Sequence, residues 1–273
     1  MTSTRARPSA LWVALLTALT TLPACTSSDG PGEPDRPAPA RAVTAALRTV
    51  ERSTGQAESA RVRSTTTMGS TLSMKADGTL AWSDGLTGTL TITYTGGTTA
   101  KTMRRLGTTS MEARYLPDAY YARMGDRFAE KTDGKHWIKY PYADLDDLAG
   151  SSGAALADQM RGAAPHTSVK LLLSSTDARK VGEETVSGEQ TRHYSGTVQG
   201  HGVAEQTVDI WVDDRDLLVK KVEKGRTATG ALTQTAYYSD YGVKTKVVRP
   251  AAGDTADLKE LLKGSGGSLT PDS

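Results

Sequence analysis

The chain has 273 residues, of which 37% are hydrophobic, and a formal net charge of +2 from 33 basic and 31 acidic side chains. Its single cysteine, Cys25, excludes an intramolecular disulfide framework. A domain of this length can bury most of its extended-chain surface and be held together by its core alone.

Residues 1–24 have the pattern of an export signal. Arg5 and Arg7 precede an apolar run of 13 residues from Ala10 to Leu22, and the small residue Ala24 follows. A basic start, a short apolar centre and a small residue at the cleavage point are typical of such signals. The run spans only about 20 Å as a helix, against a hydrocarbon core of about 30 Å, which disfavours a permanent transmembrane helix.

The end of this signal resembles the bacterial lipobox, through Leu22, Ala24 and Cys25. The resemblance implies that the Cys25 thiol is diacylglycerated, that Cys25 becomes the new N-terminus, and that acyl groups such as palmitate anchor the protein. We therefore expect a lipid-anchored protein on the extracytoplasmic face of the cell membrane. The alternatives are an ordinary secretory signal that leaves Cys25 as a free thiol, and a retained signal anchor.

Removal of the signal changes the charge balance. The signal carries two of the 33 basic residues and no acidic residue. Residues 25–273 therefore have 31 basic and 31 acidic side chains. Binding to nucleic acid requires a surplus of positive charge to displace counterions from phosphates. We therefore expect no nucleic-acid partner.

The mature chain begins with a polar segment and continues into a folded domain. Residues 25–39 are rich in Ser, Asp, Gly, Pro and Ala and are predicted to be a flexible tether. Apolar residues at helical spacing predict a first helix over Arg41 to Arg52. The folded domain is predicted over residues 40–263, and residues 264–273 are predicted to be a disordered tail.

Short threonine-rich segments follow, separated by dipeptides typical of hairpin turns. The dipeptides are Asp77-Gly78, Asp84-Gly85, Gly96-Gly97 and Asp133-Gly134. Between Gly88 and Thr95 the apolar residues Leu90, Ile92 and Tyr94 alternate with threonines, which predicts a strand with one apolar face. Further strands are predicted at Ala60 to Met68, Thr71 to Lys75, Thr79 to Trp82, Thr99 to Leu106, Ser110 to Leu116, Ala119 to Met124 and Lys135 to Tyr140.

A helical interlude and a second set of strands complete the domain. Leu145, Leu148, Leu156 and Met160 indicate one or two short helices interrupted at Gly150 to Gly153, and Val169 to Leu173 indicates another. The later strands are predicted at Ala178 to Thr185, Glu189 to Val198, Ala204 to Val212, Leu217 to Lys224, Leu232 to Tyr238 and Val243 to Val248, before a helix over Ala256 to Leu262. This order predicts an α+β fold with one large antiparallel sheet.

The order of these segments resembles the LolA-like bacterial lipoproteins of the LppX/LprG type. The local similarities span roughly Arg41 to Leu262, and their order is more specific than any one of them. They lie at Tyr120 to Arg123, Asp133 to Lys139, Val181 to Tyr194, Val208 to Asp213, Leu217 to Lys220 and Tyr238 to Gly242.

This resemblance implies a strongly curved antiparallel half-barrel of about 11–12 strands with helices across its concave face. It also implies a hydrophobic cavity that holds the acyl chains of a lipid or glycolipid, which the protein shuttles within the envelope. Such side chains pack as core just as readily, and the threonine-rich strands favour either a small cavity or a scaffold with another use. The candidate lining residues are Leu80, Trp82, Leu90, Ile92, Tyr94, Met111, Tyr115, Val208, Ile210 and Val212.

Patterns of catalysis are not evident in the sequence. His136, His166, His193 and His201 have no paired metal-ligand spacing, and there is no nucleophile elbow or phosphate loop. The acidic cluster of Asp144, Asp146 and Asp147 is typical of a helix start, and the tyrosine set Tyr115, Tyr120, Tyr121, Tyr140 and Tyr142 is typical of packing anchors or of a sugar-stacking surface.

We therefore expect no enzymatic activity, metal or cofactor, and an amphiphile-binding envelope lipoprotein. The same fold also serves to recognise proteins, so a sensor or accessory lipoprotein with an envelope protein partner is the alternative.

Overall fold

The computed structural model describes residues 40–148, 163–200, 203–227 and 229–264. The predicted signal, Cys25, the tether and most of the predicted tail lie outside these residues. The helices are α1 (Ala40–Gln56), α2 (Gly97–Arg105), α3 (Asp126–Ala129), α4 (Tyr142–Leu148), α5 (Pro165–Leu173) and α6 (Leu258–Gly264). The strands are β1 (Ser59–Met68), β2 (Leu72–Ala81), β3 (Thr87–Gly96), β4 (Ser110–Tyr115), β5 (Ala119–Arg123), β6 (Trp137–Pro141), β7 (Arg179–Val186), β8 (Glu189–Gly200), β9 (Val203–Val212), β10 (Leu218–Thr227), β11 (Gly230–Ser239) and β12 (Thr255–Asp257).

The strands form one curved, open sheet in the order β12-β6-β5-β4-β3-β2-β1-β11-β10-β9-β8-β7. All pairs are antiparallel except β12 with β6. The first hairpin set joins the second where β1 pairs with β11, from Arg61 opposite Ser239 to Met68 opposite Leu232. The predicted α+β class and the curved antiparallel sheet with helices are confirmed.

Helix α1 forms because its apolar residues recur at helical spacing and face the sheet. Val43, Leu47 and Val50 are at most 2% exposed and belong to the main core. Helix α1 contacts α5, and α5 lies against β8, β9 and β10. The approach of α5 is close because Gly196 has no side chain, and a Cβ there would lie 2.6 Å from Ser175 Oγ and 2.8 Å from Leu172 Cδ1.

A buried ion pair links α5 to the concave face of the sheet. Lys221 Nζ donates to Ser168 Oγ and to Glu223 Oε1, each at 2.9 Å, and Ser168 Oγ donates to the same carboxylate at 2.9 Å. Burial by itself lowers the pKa of a lysine, but the attraction of Glu223 outweighs it and raises the pKa of Lys221 to about 12. Burial also opposes ionisation of Glu223, yet Lys221 holds the pKa of this carboxyl below its usual value.

Four predicted strands differ from the structure. Thr71 to Lys75 and Thr79 to Trp82 form the single strand β2, so Asp77-Gly78 is not a turn. Gly78 lies in mid-strand opposite Val62 and Leu90, and a Cβ on it would lie 2.1 Å from the carbonyl oxygen of Thr89. The missing side chain of Gly78 therefore allows β2 and β3 to approach closely. The sequence alone does not distinguish a glycine of this kind from a turn glycine.

The segment Thr99 to Leu106 was predicted as a strand and is helix α2. Ala100 and Met103, three residues apart, are buried, Thr99 and Thr102 are half-buried, and the backbone N–H of Thr99 donates to the Thr71 carbonyl. Tertiary burial at helical spacing outweighs the weak strand preference of threonine.

The predicted strand Val243 to Val248 is wrong, because this segment has no strand neighbour. Both edges of β1 are already paired, and the segment bonds instead to side chains, with Ser59 Oγ donating to the Val243 carbonyl and Arg114 Nη1 to the Val248 carbonyl. The last predicted helix begins later than expected, at Leu258, because Thr255–Asp257 pairs with β6. Leu156, Met160 and Gly150 to Gly153 lie outside the described residues.

We predict that Glu223→Leu lowers the free energy of unfolding by about 3 kcal/mol, because it leaves the buried Lys221 ammonium without its counter-charge. The double variant Lys221→Met/Glu223→Leu should recover most of this loss. Urea denaturation followed by circular dichroism measures both. Glu183→Gln, which removes an exposed ion pair with Lys180, is the control and should leave the midpoint unchanged. A double variant as unstable as the single one would contradict the assignment.

The contribution of this pair to stability should depend on pH at both extremes. The lowered pKa of Glu223 gives a contribution to stability that is present above pH 4.5. This contribution is lost as the pH falls through the pKa of Glu223 in the folded protein. The raised pKa of Lys221 gives a second contribution to stability, which is complete below pH 10.5 and is lost as the pH rises through about 12. The difference in unfolding free energy between the wild type and Lys221→Met/Glu223→Leu should be flat between these limits and shift at both ends. A difference independent of pH would contradict an ionised pair.

Candidate functional site

The ten predicted lining residues lie on the concave face of the sheet, in one continuous core cluster. Strand alternation places them there, since their neighbours on β2, β3 and β9 face the opposite side. Eight are buried, namely Leu80, Trp82, Leu90, Ile92, Tyr115, Val208, Ile210 and Val212, and two are half-buried, namely Tyr94 and Met111.

Burial divides this set into two regions. Val208, Ile210 and Val212 are 0% exposed on β9, a strand that lies beneath α5, so they pack as core in this structure. Tyr94 and Met111 lie on β3 and β4, away from α5 in the strand order, and keep part of their surface exposed. Contact of any of the ten with a ligand stays a prediction.

The half-buried region extends to five large side chains, which we call the Met–Tyr patch. It consists of Met74, Tyr94, Met111, Met124 and Tyr140, which pack against the main core from β2 to β6. Met74 lies opposite Tyr94, and Tyr94 Oη donates to Met111 Sδ at 3.5 Å. Unbranched thioether side chains adapt their shape to irregular apolar surfaces.

A tyrosine ladder adjoins this patch. The rings of Tyr115 and Tyr120 are 5.1 Å apart and those of Tyr120 and Tyr140 are 5.7 Å apart, both edge to face. Burial raises the pKa of Tyr140 to about 12 and also raises the pKa of Tyr115 and Tyr120. These phenols are therefore neutral hydrogen-bonding groups at physiological pH. Tyr121 faces the other side of the sheet, beside Trp137, so the predicted tyrosine set does not form one surface.

Met74 and Met124 were missed by the sequence reasoning. Both lie within predicted strands. Met74, Ala76, Gly78 and Leu80 are spaced two residues apart, so strand alternation places Met74 on the same face as the candidate Leu80. The false turn at Asp77-Gly78 separated it from Leu80 and hid that parity. Met124 follows the end of β5, where alternation is least certain.

Among the predicted titratable groups, His136 adjoins the patch, because its carbonyl accepts from the Met124 N–H at 2.7 Å. His136 Nδ1 is 2.7 Å from Asp254 Oδ1, and His193 Nε2 is 2.9 Å from Asp209 Oδ1. His166 lies near Trp82, with ring centroids 6.2 Å apart, and burial lowers the pKa of this imidazole. Asp144 lies in the first turn of α4, 3.7 Å from Lys259 Nζ, as its predicted place at a helix start requires.

Some predicted groups cannot be placed. His201 and the side chains of Asp146 and Asp147 lie outside the described residues. Within the described ranges, no group of three or more His, Cys, Asp or Glu side chains is arranged to hold a metal ion. In the same ranges, no helix combines the length and apolarity needed to cross a membrane.

Ser168 beside Lys221 has the composition of a nucleophile and base, but its electrostatics do not suit that role. A lysine acts as a general base only when its pKa is lowered towards neutrality. The pKa of Lys221 is instead raised to about 12 by Glu223, which keeps the ammonium protonated. The trio therefore joins helix to sheet and does not activate Ser168.

Comparison with known structures agrees with this architecture. LppX from Mycobacterium tuberculosis, a lipoprotein, is 17% identical with a TM-score of 0.51, covering 77% of this chain and 100% of its own. LprF from Mycobacterium bovis is 16% identical with a TM-score of 0.50, covering 78% of this chain and 99% of its own. At this level of identity, the similarity establishes the fold alone.

Sequence comparison establishes the family. No protein-family model matches the chain. The Streptomyces coelicolor protein named "Putative lipoprotein SCO4650" is 62% identical over 97% of this chain and 100% of its own length. The chain therefore belongs to the family of that Streptomyces lipoprotein, and its domain has the LolA-like fold of the LppX/LprG type.

Proposed function

We propose that this protein is a lipoprotein anchored through diacylglyceryl-Cys25 on the extracytoplasmic face of the cell membrane, where it binds an amphiphile on its concave face. The observation that carries this proposal is the Met–Tyr patch. It places adaptable apolar side chains, partly exposed, beside the buried side chains of the main core.

The chemistry of the patch suits acyl chains attached to a polar linkage. The thioethers of Met74 and Met111 offer apolar contact without a fixed shape. The phenols of Tyr94 and Tyr140 are neutral at physiological pH and can donate hydrogen bonds to an ester or amide carbonyl, and burial raises the pKa of both. The patch thus combines apolar area with a few polar groups, as small-molecule sites do.

The proposal is for binding and release, and not for catalysis. Lys221, the buried cation of the concave face, is neutralised by Glu223 and stays protonated. The same ion pair holds α5 to β10, which gives the α5 side of the concave face a fixed position. Uptake and transfer of a lipid between envelope sites would then involve the β2–β6 side.

We predict that the mature chain with Cys25→Ser takes up a pyrene-labelled diacyl phospholipid, and that Met74→Gln/Met111→Gln weakens this binding about tenfold. Two thioethers replaced by amides would lose about 1.5 kcal/mol or more of apolar contact with the chains. Fluorescence titration after solvent extraction of bound lipid measures the affinity. Val248→Gln is the control and should bind as the parent does, because Val248 is exposed and its carbonyl bonds to Arg114, which does not belong to the patch.

Native mass spectrometry of the same proteins gives an independent readout. A parent protein that is reproducibly empty and takes up no lipid would overturn the carrier proposal. One stoichiometric protein partner in a pulldown, with no lipid bound, would favour the sensor or accessory function instead.

For the anchor, we predict that Cys25→Ser abolishes metabolic labelling with an alkyne palmitate analogue and releases the protein from the membrane fraction. Cys25 is the only cysteine in the chain, so no other thiol can be acylated. Ser27→Ala, two residues away, is the control and should be labelled and membrane-bound. Labelling that survives in Cys25→Ser would contradict the proposed anchor. Protease treatment of intact cells tests the extracytoplasmic face.

A further inference from the structure

A cavity of about 520 Å³ lies on the convex face of the sheet, opposite to the Met–Tyr patch. Its floor is built from the outward side chains of β11, β1, β2 and β3, and Ser187 of the β7–β8 turn lies at its border. A cavity of this volume is within the range of small-molecule sites. It shares no side chain with the Met–Tyr patch.

The groove exists because the β7–β8 hairpin turns back over the convex face. Val186 packs there against Trp211 and Val219, and Trp211 Nε1 donates to the Glu184 carboxylate. The two turn residues Ser187 and Gly188 both have positive φ, 53° and 88°, as a tight two-residue turn requires. These contacts fix the hairpin tip over strands that are distant in the sheet order.

The Trp211 side chain is itself held from both sides. The His193 ring stacks on it with centroids 4.3 Å apart and planes 10° apart. The Lys220 ammonium lies 3.8 Å from the Trp211 ring centroid and 6.0 Å from that of Tyr237, which lines the groove. The border of the groove is therefore part of a packed cluster and not a freely moving loop.

The floor presents cations among hydroxyl groups. Tyr237, Arg63, Asp77 and Thr91 lie side by side across the four strands. The adjacent row contains Thr65, Lys75 and Thr93. Arg63 and Lys75 are diagonal neighbours, a relationship that places backbone positions about 7–8 Å apart and lets long side chains converge on one group.

Some cations on the same face are held in ion pairs, whereas Arg63 and Lys75 are not. Arg61 forms an ion pair with Asp240 at 3.0 Å, and Arg114 forms one with Glu112 at 2.7 Å. Within the described ranges, no ion pair joins Arg63 or Lys75 to a carboxylate, although Asp77 lies directly opposite Arg63. The groove thus holds positive charge available to a ligand.

We propose that the convex groove binds a segment of a polyol- or sugar-phosphate chain. Arg63 and Lys75 contact the phosphate, for which a guanidinium fork and an ammonium are suited. The hydroxyls of Thr65, Thr91 and Thr93 bond to the hydroxyls of the ligand, and the half-exposed Tyr237 ring packs against its carbon skeleton.

The shape of the groove favours an extended phosphate-containing chain as the ligand over a small molecule that would be enclosed on all sides. Its floor crosses four strands, and a single residue of the hairpin tip borders it, so the site is a shallow channel. The Asp77 carboxylate within the same floor accepts hydrogen bonds from ligand hydroxyls and repels a second phosphate placed beside it. The floor therefore favours alternating phosphate and hydroxyl groups over a dense polyanion.

Microscale thermophoresis of the full chain in phosphatidylcholine nanodiscs, with a fluorescent glycerol-phosphate hexamer as the probe, tests this site. We expect saturable binding that Arg63→Gln/Lys75→Gln weakens about tenfold, because two charge-assisted contacts are lost. Lys101→Gln/Arg104→Gln removes two exposed cations of α2 and is the matched control, expected to change the affinity less than about twofold.

The proposal would be overturned by no saturable binding of the hexamer, by an equal loss in the two charge variants, or by equal binding of maltohexaose, which lacks phosphate. Met74→Gln/Met111→Gln separates this site from the concave one. If that variant loses hexamer binding while Arg63→Gln/Lys75→Gln keeps it, the ligand occupies the concave face and the groove is not its site. Lipid uptake that fails while hexamer binding persists leaves the groove standing without the carrier function.

Discussion

The pairing of β1 with β11 is the constraint on which the rest of this structure depends. It joins two hairpin-built halves that are separated along the chain by helices α4 and α5, and it makes one twelve-stranded sheet of them. Curvature of a single continuous sheet creates a concave and a convex side, and each side must then be covered or solvated. The core, the Met–Tyr patch and the convex groove all follow from this one junction.

The concave face is divided by what lies on it. On the β8–β10 side, α5 approaches the sheet closely over Gly196. Lys221 and Glu223 neutralise each other in the contact between this helix and the sheet. A buried pair of this kind gains little net stability over an apolar contact, but it specifies one arrangement of helix and sheet. On the β2–β6 side, methionine and tyrosine side chains stay partly exposed. The β8–β10 side is fixed by α5, whereas the side chains of the β2–β6 side can adapt their shape. This difference is the physical basis for proposing an amphiphile site on the β2–β6 side.

The convex face shows how a threonine-rich sequence has two consequences. The low apolar content of the first strands limits the apolar lining available on the concave face, since alternation assigns every second residue to the convex face. Those outward threonines, together with Arg63 and Lys75, form the floor of the groove that the β7–β8 hairpin borders. Residues that weaken the case for a large lipid cavity therefore support a polar site on the other side.

The sequence by itself predicts an export signal with a lipobox, and it determined the class of the fold and most strand positions, because these depend on local composition and on periods of two and 3.6 residues. It also placed all ten candidate lining residues on one face through strand parity. Tertiary structure decided what local patterns cannot show. Gly78 allows β2 and β3 to approach closely and does not form a turn. Burial of Ala100 and Met103 makes α2 a helix, and Val243 to Val248 pairs with no strand of the sheet. The Lys221–Ser168–Glu223 trio and the convex groove join residues distant in the chain, so only the folded sheet brings them together.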